Sequence, residues 1–293
     1  MRFSISTAYL PVTDLPAIAQ AADRLGYDSL AVPDHVVDLE ELTTPYPYTK
    51  DGARRWQSDA QWPDPWVLVG ALGALTTRLR FFTSIYVLPM RNPFQVAKSV
   101  GTAAVLSGGR VALGVGIGWC REEFELLEAD FRTRGRRTDE ALDLLAELWS
   151  PGWSTFSGEF YEAPRLVMEP TPPGRIPIYV GGLSEVAFAR AARHDGWVGD
   201  IYTTDEAAAH ARRLAELREQ AGNERPFSVI TALSDAFLPE HFLRAGERGV
   251  TDVMTMPWAY YHGLDCGLEQ KLDGMERFAE QILEPVAREL AGA

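Results

Sequence analysis

Ser107-Gly-Gly-Arg-Val-Ala-Leu-Gly-Val-Gly-Ile-Gly-Trp119 decides the fold class. An apolar strand core, Val111 to Val115, runs into alternating glycines at 114, 116 and 118 and ends on Trp119. Glycine weakens a strand interior, so three together imply close approach of something flat or charged to the backbone. Ile176-Pro-Ile-Tyr-Val-Gly-Gly-Leu-Ser184 ends its strand in the same way. Two glycine-tipped strands point to a ligand cradle built at strand ends.

Working outward, eight β-like runs alternate with helical patterns. They cover residues 2–9, 29–32, 79–87, 111–115, 176–180, 197–201, 227–232 and 252–256. Most are continuous apolar runs, as parallel strands covered on both faces require. Helix starts are legible between them. Asp64-Pro65 and Asn92-Pro93 each place a capping side chain before a proline, and Thr203 to Glu206 forms a capping box. A 3.6-residue stripe marks a helix over 138–149, and another runs over 268–290, where Pro285 should bend or end it. Eight βα units without a break in composition predict one (β/α)8 barrel over residues 1–293, with a doubly wound sheet as the alternative. Two segments exceed ordinary loop length: 34–63, after the second strand, and 150–175, between the fourth helix and the fifth strand. Both are rich in aromatics and proline, which predicts lids or binding walls.

Composition narrows the function classes. The net charge is −13, from 28 basic and 41 acidic residues, and no dense basic run occurs. Such a surface repels phosphate backbones and argues against nucleic-acid binding. No apolar run is long enough to span a bilayer, and the N-terminus reads as a strand rather than a leader. The two cysteines, Cys120 and Cys266, make no disulfide framework. A cytoplasmic chain without a membrane partner is expected.

In a barrel, the chemistry belongs at the carboxyl ends of the strands. There the chain places Asp34-His35, the segment Thr83 to Tyr86, Gly116 to Trp119, Gly181 to Ser184, Asp200 and Tyr202, Ser234 and Asp235, and Trp258. Gly181-Gly182-Leu183-Ser184 turns from a strand into a helix, so free amides and a hydroxyl make an anion site; a plain helix cap reads equally well. His35 can exchange a proton near neutral pH with Asp34 orienting it, unless the pair merely tethers the following loop. His194-Asp195 and His241 read as solvated helix ends. No histidine or cysteine spacing matches a metal site. Gly114-x-Gly-x-Gly118 lacks the third glycine offset and the first-strand position of a dinucleotide fingerprint. Trp119, Trp258, Tyr86 and Met90 line either a ring slot or the core.

The runs from Leu79 to Lys98 and Leu106 to Trp119, with Arg134 to Glu140, Pro177 to Ser184 and Asp195-Gly-Trp197, resemble the bacterial luciferase-like superfamily. The similarity covers nearly the whole chain, in the right order, and is nearest to the coenzyme F420-dependent oxidoreductase branch. That resemblance implies a TIM barrel and a flavin or deazaflavin ring against a bulge in the third strand. It also implies a non-prolyl cis peptide at Ser84-Ile85, with Gly116, Gly118 and Trp119 beside the ring. Gly181, Gly182 and Ser184 match its phosphate-holding turn, and Asp34-His35 its strand-two pair, where the histidine works at the reacting centre. The deazaflavin sugar-phosphate dehydrogenases of the family carry Glu and Asn where this chain has Trp119 and Glu122, so their reaction does not transfer directly.

The resulting expectation is hydride transfer between reduced coenzyme F420 and a small organic substrate. His35 would serve the proton and both long loops would close the site. Arg54, Arg55 and Arg91 are candidates for an anionic cofactor tail. Trp56, Trp62, Trp258 and Tyr260 would wall an apolar or aromatic substrate. The alternatives are a monooxygenase using reduced FMN and oxygen, and a flavin-binding barrel without turnover. By the same resemblance the chain would be a homodimer packed through helices near residues 64–78 and 93–106.

Overall fold

The computed structural model describes residues 1–292. In chain order the strands are β1 (Arg2–Ser6), β2 (Ser29–Val32), β3 (Arg80–Thr83), β4 (Tyr86–Val87), β5 (Val111–Gly116), β6 (Ser154–Ser157), β7 (Glu162–Leu166), β8 (Ile178–Gly181), β9 (Gly196–Tyr202), β10 (Ser228–Leu233) and β11 (Asp252–Thr255). Each of β1, β2, β3, β5, β8, β9, β10 and β11 pairs in parallel with the next, and β11 returns to β1 with Asp252 opposite Arg2. The sheet therefore closes into an eight-stave TIM barrel, and the doubly wound alternative is excluded. β4 is the upper half of the third stave, pairing Tyr86 with Val115. β6 and β7 form a separate antiparallel hairpin.

Among the described residues ten helices wrap the staves: α1 (Leu15–Leu25), α2 (Pro65–Leu75), α3 (Pro93–Leu106), α4 (Arg121–Leu126), α5 (Arg134–Leu148), α6 (Glu185–Ala192), α7 (Thr204–Gln220), α8 (Pro239–Glu247), α9 (Leu268–Phe278) and α10 (Glu284–Gly292). A π-turn over Ala279–Leu283 joins the last two and accommodates Pro285, which has no amide to donate. The caps form where the sequence places them. Asp64 accepts the Trp66 and Val67 amides, Asn92 accepts that of Phe94, and Thr203 and Glu206 bond reciprocally.

Strand alternation builds two cores. Phe81, Leu30, Leu113 and Val253 face outward to the helices. Phe82, Ala31, Ala112, Val198, Ile230 and Met254 fill the barrel itself, so its lower part is solid. The 150–175 segment departs from the expected lid. It contains the β6–β7 hairpin, and Glu140 on α5 accepts the amides of Glu159, Phe160 and Tyr161. Lys98 on α3 holds the Glu169 carbonyl. These bonds fix the insertion to the barrel flank. Asp195 is likewise no solvated helix end: it is buried, paired with Arg175, and accepts the Ile178 amide at the start of β8.

Candidate active site

β3 and β4 are joined by a cis peptide between Ser84 and Ile85, with no proline involved. The Ser84 amide donates to the Val32 carbonyl at 2.7 Å, and its hydroxyl reaches the Met254 sulfur at 3.5 Å. Ile85 then leans across two neighbouring staves. A Cβ at Gly116 would lie 1.7 Å from its Cδ1, and one at Gly181 2.7 Å from its Cγ2. At Gly114 a Cβ would lie 1.8 Å from the Thr83 carbonyl oxygen. Gly118, at φ +77°, has Val87 and Phe124 within 2.7 Å of the same position. Gly116 and Gly181 thus clear space for Ile85 of the bulge, while Gly114 admits the Thr83 backbone and Gly118 admits Val87 and Phe124.

At the end of β2, Asp34 and His35 part company. Buried Asp34 accepts the Val87 amide at 2.9 Å and pairs with Arg91 at 2.6 Å, bracing β4 just beyond the bulge. His35 instead pairs through Nδ1 with Glu123 Oε2 at 2.9 Å. Glu123, on α4, also accepts the Val36 amide at 2.9 Å. Burial alone would push the Glu123 carboxyl up; the hydrogen bond and charge of His35, with the Val36 and Val37 amides, outweigh it and hold the group below its ordinary range. A carboxylate at this distance requires the proton on Nδ1, leaving Nε2, which engages no hydrogen bond among the described residues, to give or take a proton. The expected orienter, Asp34, is therefore replaced by Glu123.

Segment 34–63 folds back over this pair. Trp56, Trp62 and Trp119 surround the imidazole at centroid distances of 5.1, 5.0 and 6.0 Å, and Tyr46 packs on Trp56 and Trp119 at 5.2 Å. About 10 Å³ remains among His35, Trp56, Trp119 and Glu123, room for about one water. Glu122 pins the flap by accepting the Thr43 and Thr44 amides and the Thr43 hydroxyl. Arg55 latches it across the mouth, bidentate to Asp200 on β9 at 2.7 Å. Arg54 is paired with Asp38. All three arginines expected to serve a cofactor tail are thus occupied by carboxylates.

On β8 the turn Gly181-Gly182-Leu183-Ser184 enters α6. Gly182 sits at φ +121°, with its carbonyl accepting the Trp197 indole at 2.9 Å. Ser184 Oγ accepts the Ala187 amide at 3.2 Å, a helix cap, while the first-turn amides of Glu185 and Val186 have no partner within the helix.

A family model described as luciferase-like monooxygenase matches residues 2–236. This chain belongs to the luciferase-like family. An uncharacterized protein of Mycobacterium tuberculosis is 39% identical over 288 residues, covering 98% of this chain and 100% of that one. An F420-dependent glucose-6-phosphate dehydrogenase of Gordonia bronchialis is 30% identical over 300 residues, covering 98% of this chain and 81% of the relative. A monooxygenase from Streptomyces bottropensis shares the fold at TM-score 0.74 and 17% identity, covering 97% of this chain and 99% of that structure. The protein is accordingly a luciferase-like oxidoreductase, of a class whose members work with a flavin or deazaflavin.

The residues of this luciferase-like barrel fit such a group. Half-exposed Ser84 and Ile85 offer a backing surface, and buried indole nitrogens of Trp56 and Trp62 lack acceptors. The turn at β8 offers amides. Two expected wall residues lie elsewhere. Trp258 has no accessible surface and packs over Gly274, where a Cβ would lie 2.4 Å from its Cα. Tyr260 rests on Phe278 and its hydroxyl donates to the Ala236 carbonyl at 3.3 Å. Both belong to the outer core because the strand that delivers them turns outward into a 3₁₀ segment. Sequence reading missed Glu123. Its only signal was an acidic pair in the first turn of the helix after the glycine tip.

Glu123→Gln tests the ion pair. Because the folded carboxyl is held low, its stabilisation is complete above the ordinary carboxylate pKa near about 4.3 and is lost as pH falls through the lower folded value. Urea midpoints should show wild type ahead by about 1–3 kcal/mol at pH 7, with the gap narrowing towards pH 3. A gap that is constant with pH would contradict the pairing.

Proposed function

We propose that this luciferase-like protein transfers hydride between reduced coenzyme F420 and a small organic substrate. The observation that carries the reading is His35 Nε2, left free by a tautomer that Glu123 fixes, in an aromatic chamber at the barrel mouth. Ser84 and Ile85 would back the ring, with Gly116, Gly118 and Trp119 around its edge. Gly181, Gly182 and Ser184, with the first amides of α6, would hold the phosphate. When bound, the deazaflavin supplies or accepts the hydride. His35 gives or takes the accompanying proton at Nε2, and Glu123 stabilises the imidazolium. Trp56, Trp62 and the Arg55–Asp200 latch exclude water while this happens.

A monooxygenase working with reduced FMN is the second reading, favoured by the occupation of Arg54, Arg55 and Arg91, which leaves no free cation from that set for an acidic cofactor tail. Titration of the purified protein with both cofactors separates them. Deazaflavin is expected to bind at least tenfold more tightly, and tight FMN binding without deazaflavin binding would reject the first reading.

The chain is proposed to pair through α2 and α3, where Val67, Leu75, Val105 and Leu106 are exposed. A groove of about 690 Å³, lined by Tyr86, Arg91, Phe94 and Met168, opens on the same flank. Gel filtration should give twice the 32.5 kDa chain mass; elution as a single chain would remove the dimer.

A further inference from the structure

We infer that segment 38–62 is a strap latched shut across the barrel mouth by Arg55 and Asp200, and that release of this pair uncovers His35. This deepens the hydride-transfer reading, in which His35 carries the proton, and rests on it. Arg55 and Asp200 are then positioning residues, acting on His35 through the strap. β2, which the segment leaves, and β9, which carries Asp200, stand four staves apart in the ring of eight, on opposite sides of the mouth. The bidentate bond, 2.7 Å at each carboxylate oxygen, therefore spans the opening. Arg55 also donates to the Tyr48 carbonyl at 2.6 Å, so it grips the strap a second time. The next residue, Trp56, packs on His35 at 5.1 Å and on Trp119 at 6.4 Å. Because Arg55 and Trp56 are neighbours in the chain, a shift that withdraws one from Asp200 withdraws the other from the imidazole.

The pattern of hydrogen bonds is that of a strap with anchored ends and a releasable middle. Inside it, Arg54 donates to Asp38 and the Leu39 carbonyl, the Tyr46 amide to the Gly52 carbonyl, and the Thr49 hydroxyl to the Ala53 carbonyl. These bonds travel with the segment. At one end Glu122 accepts the Thr43 and Thr44 amides, and at the other Gln61 accepts the Val12 amide at 2.8 Å. Between those anchors, over 45–60, Arg55–Asp200 is the one polar tie to the barrel among the described residues. A segment so held opens by local release without unfolding the staves. With the strap down, the His35 side chain keeps 14% of its surface. The space between the imidazole, Leu42, Trp56 and Trp119 is about 10 Å³, room for about one water. Organic ligands occupy pockets of about 300 Å³ or more, so the strap must rise before a substrate meets that face of the ring. The pair is itself partly exposed, which lets salt weaken it.

Site-resolved modification of histidines by diethyl pyrocarbonate, run beside amide hydrogen exchange, tests this on the full chain without cofactor. Wild type, Asp200→Asn and Arg55→Gln are compared. Both variants should speed modification of His35 and exchange across 45–60 by about three- to tenfold. Modification of His262, exchange in β5 and β10, and the melting point should stay at wild-type values. Raising sodium chloride from about 0.05 to about 1 M should speed His35 modification in wild type and leave Asp200→Asn unmoved. His35 equally reactive in all three proteins, or its exposure rising only together with exchange in the strands, overturns the inference. The cofactor titration runs on the same preparations. A latch that behaves as expected with no deazaflavin binding rejects only the hydride reading. Deazaflavin binding with His35 reactivity unchanged by either variant rejects only the latch.

Discussion

His35→Ala is expected to lower turnover by about 10²–10⁴-fold, the range over which a positioned acid or base acts. Cofactor affinity should change by less than about threefold, because neither the Ser84-Ile85 bulge nor the Gly181–Ser184 turn leans on the imidazole through any hydrogen bond. Stopped-flow turnover and cofactor titration on the same preparation measure the two quantities separately. Added imidazole should restore part of the rate, since the cavity left between Trp56 and Trp62 has the shape of the lost ring. Turnover equal to wild type from pH 5 to pH 9 would remove His35 from the reaction. Loss of cofactor binding alongside turnover would instead make it a structural post.

Gly114→Ala is the second large effect, and it acts on folding. The added Cβ would lie 1.8 Å from the Thr83 carbonyl oxygen, which is backbone. Retreat is blocked from both sides. Thr83 Oγ1 donates to the Gly114 carbonyl at 2.7 Å and accepts the Gly114 amide at 3.0 Å, welding the third stave to β5. Overpacking that must move backbone should cost more than about 3 kcal/mol and leave little folded protein. Gly116→Ala is a useful contrast. There the obstacle is the end of the Ile85 side chain, so the loss should be about 1–3 kcal/mol. Adding Ile85→Ala should restore the melting point. A Gly114→Ala protein that melts like wild type would show that the close approach of the Thr83 backbone does not require glycine at 114.

Much of the candidate site was legible in the chain because it was sought where a parallel barrel puts its chemistry. His35, Trp119 and the Gly181–Ser184 turn follow from finding strand ends, whereas Ser84 and Ile85 come from the family resemblance. Trp56 and Trp62 came from the composition of a long loop, and the structure brings both against His35. Other assignments failed for a shared reason. Asp34 looked like the partner of His35 because it is adjacent in sequence, but adjacent side chains at a strand end diverge. Asp34 turns to Arg91 and the imidazole finds Glu123, 88 positions away. Trp258 resembled a pocket wall because it follows a strand, yet the direction of the next turn sends it into the core.

Local rules were sufficient for the number and alternation of staves and for the caps at Asp64, Asn92 and Thr203. Each depends on periodicity or on contacts within one helical turn, which a linear chain displays directly. Closure of the sheet, the ion pairs that occupy Arg54, Arg55 and Arg91, and the crowding of Ile85 over Gly116 and Gly181 needed three dimensions. They arise where staves far apart in the chain become neighbours. Strand pairing sets those distances, and the order of residues along the backbone carries no direct record of them.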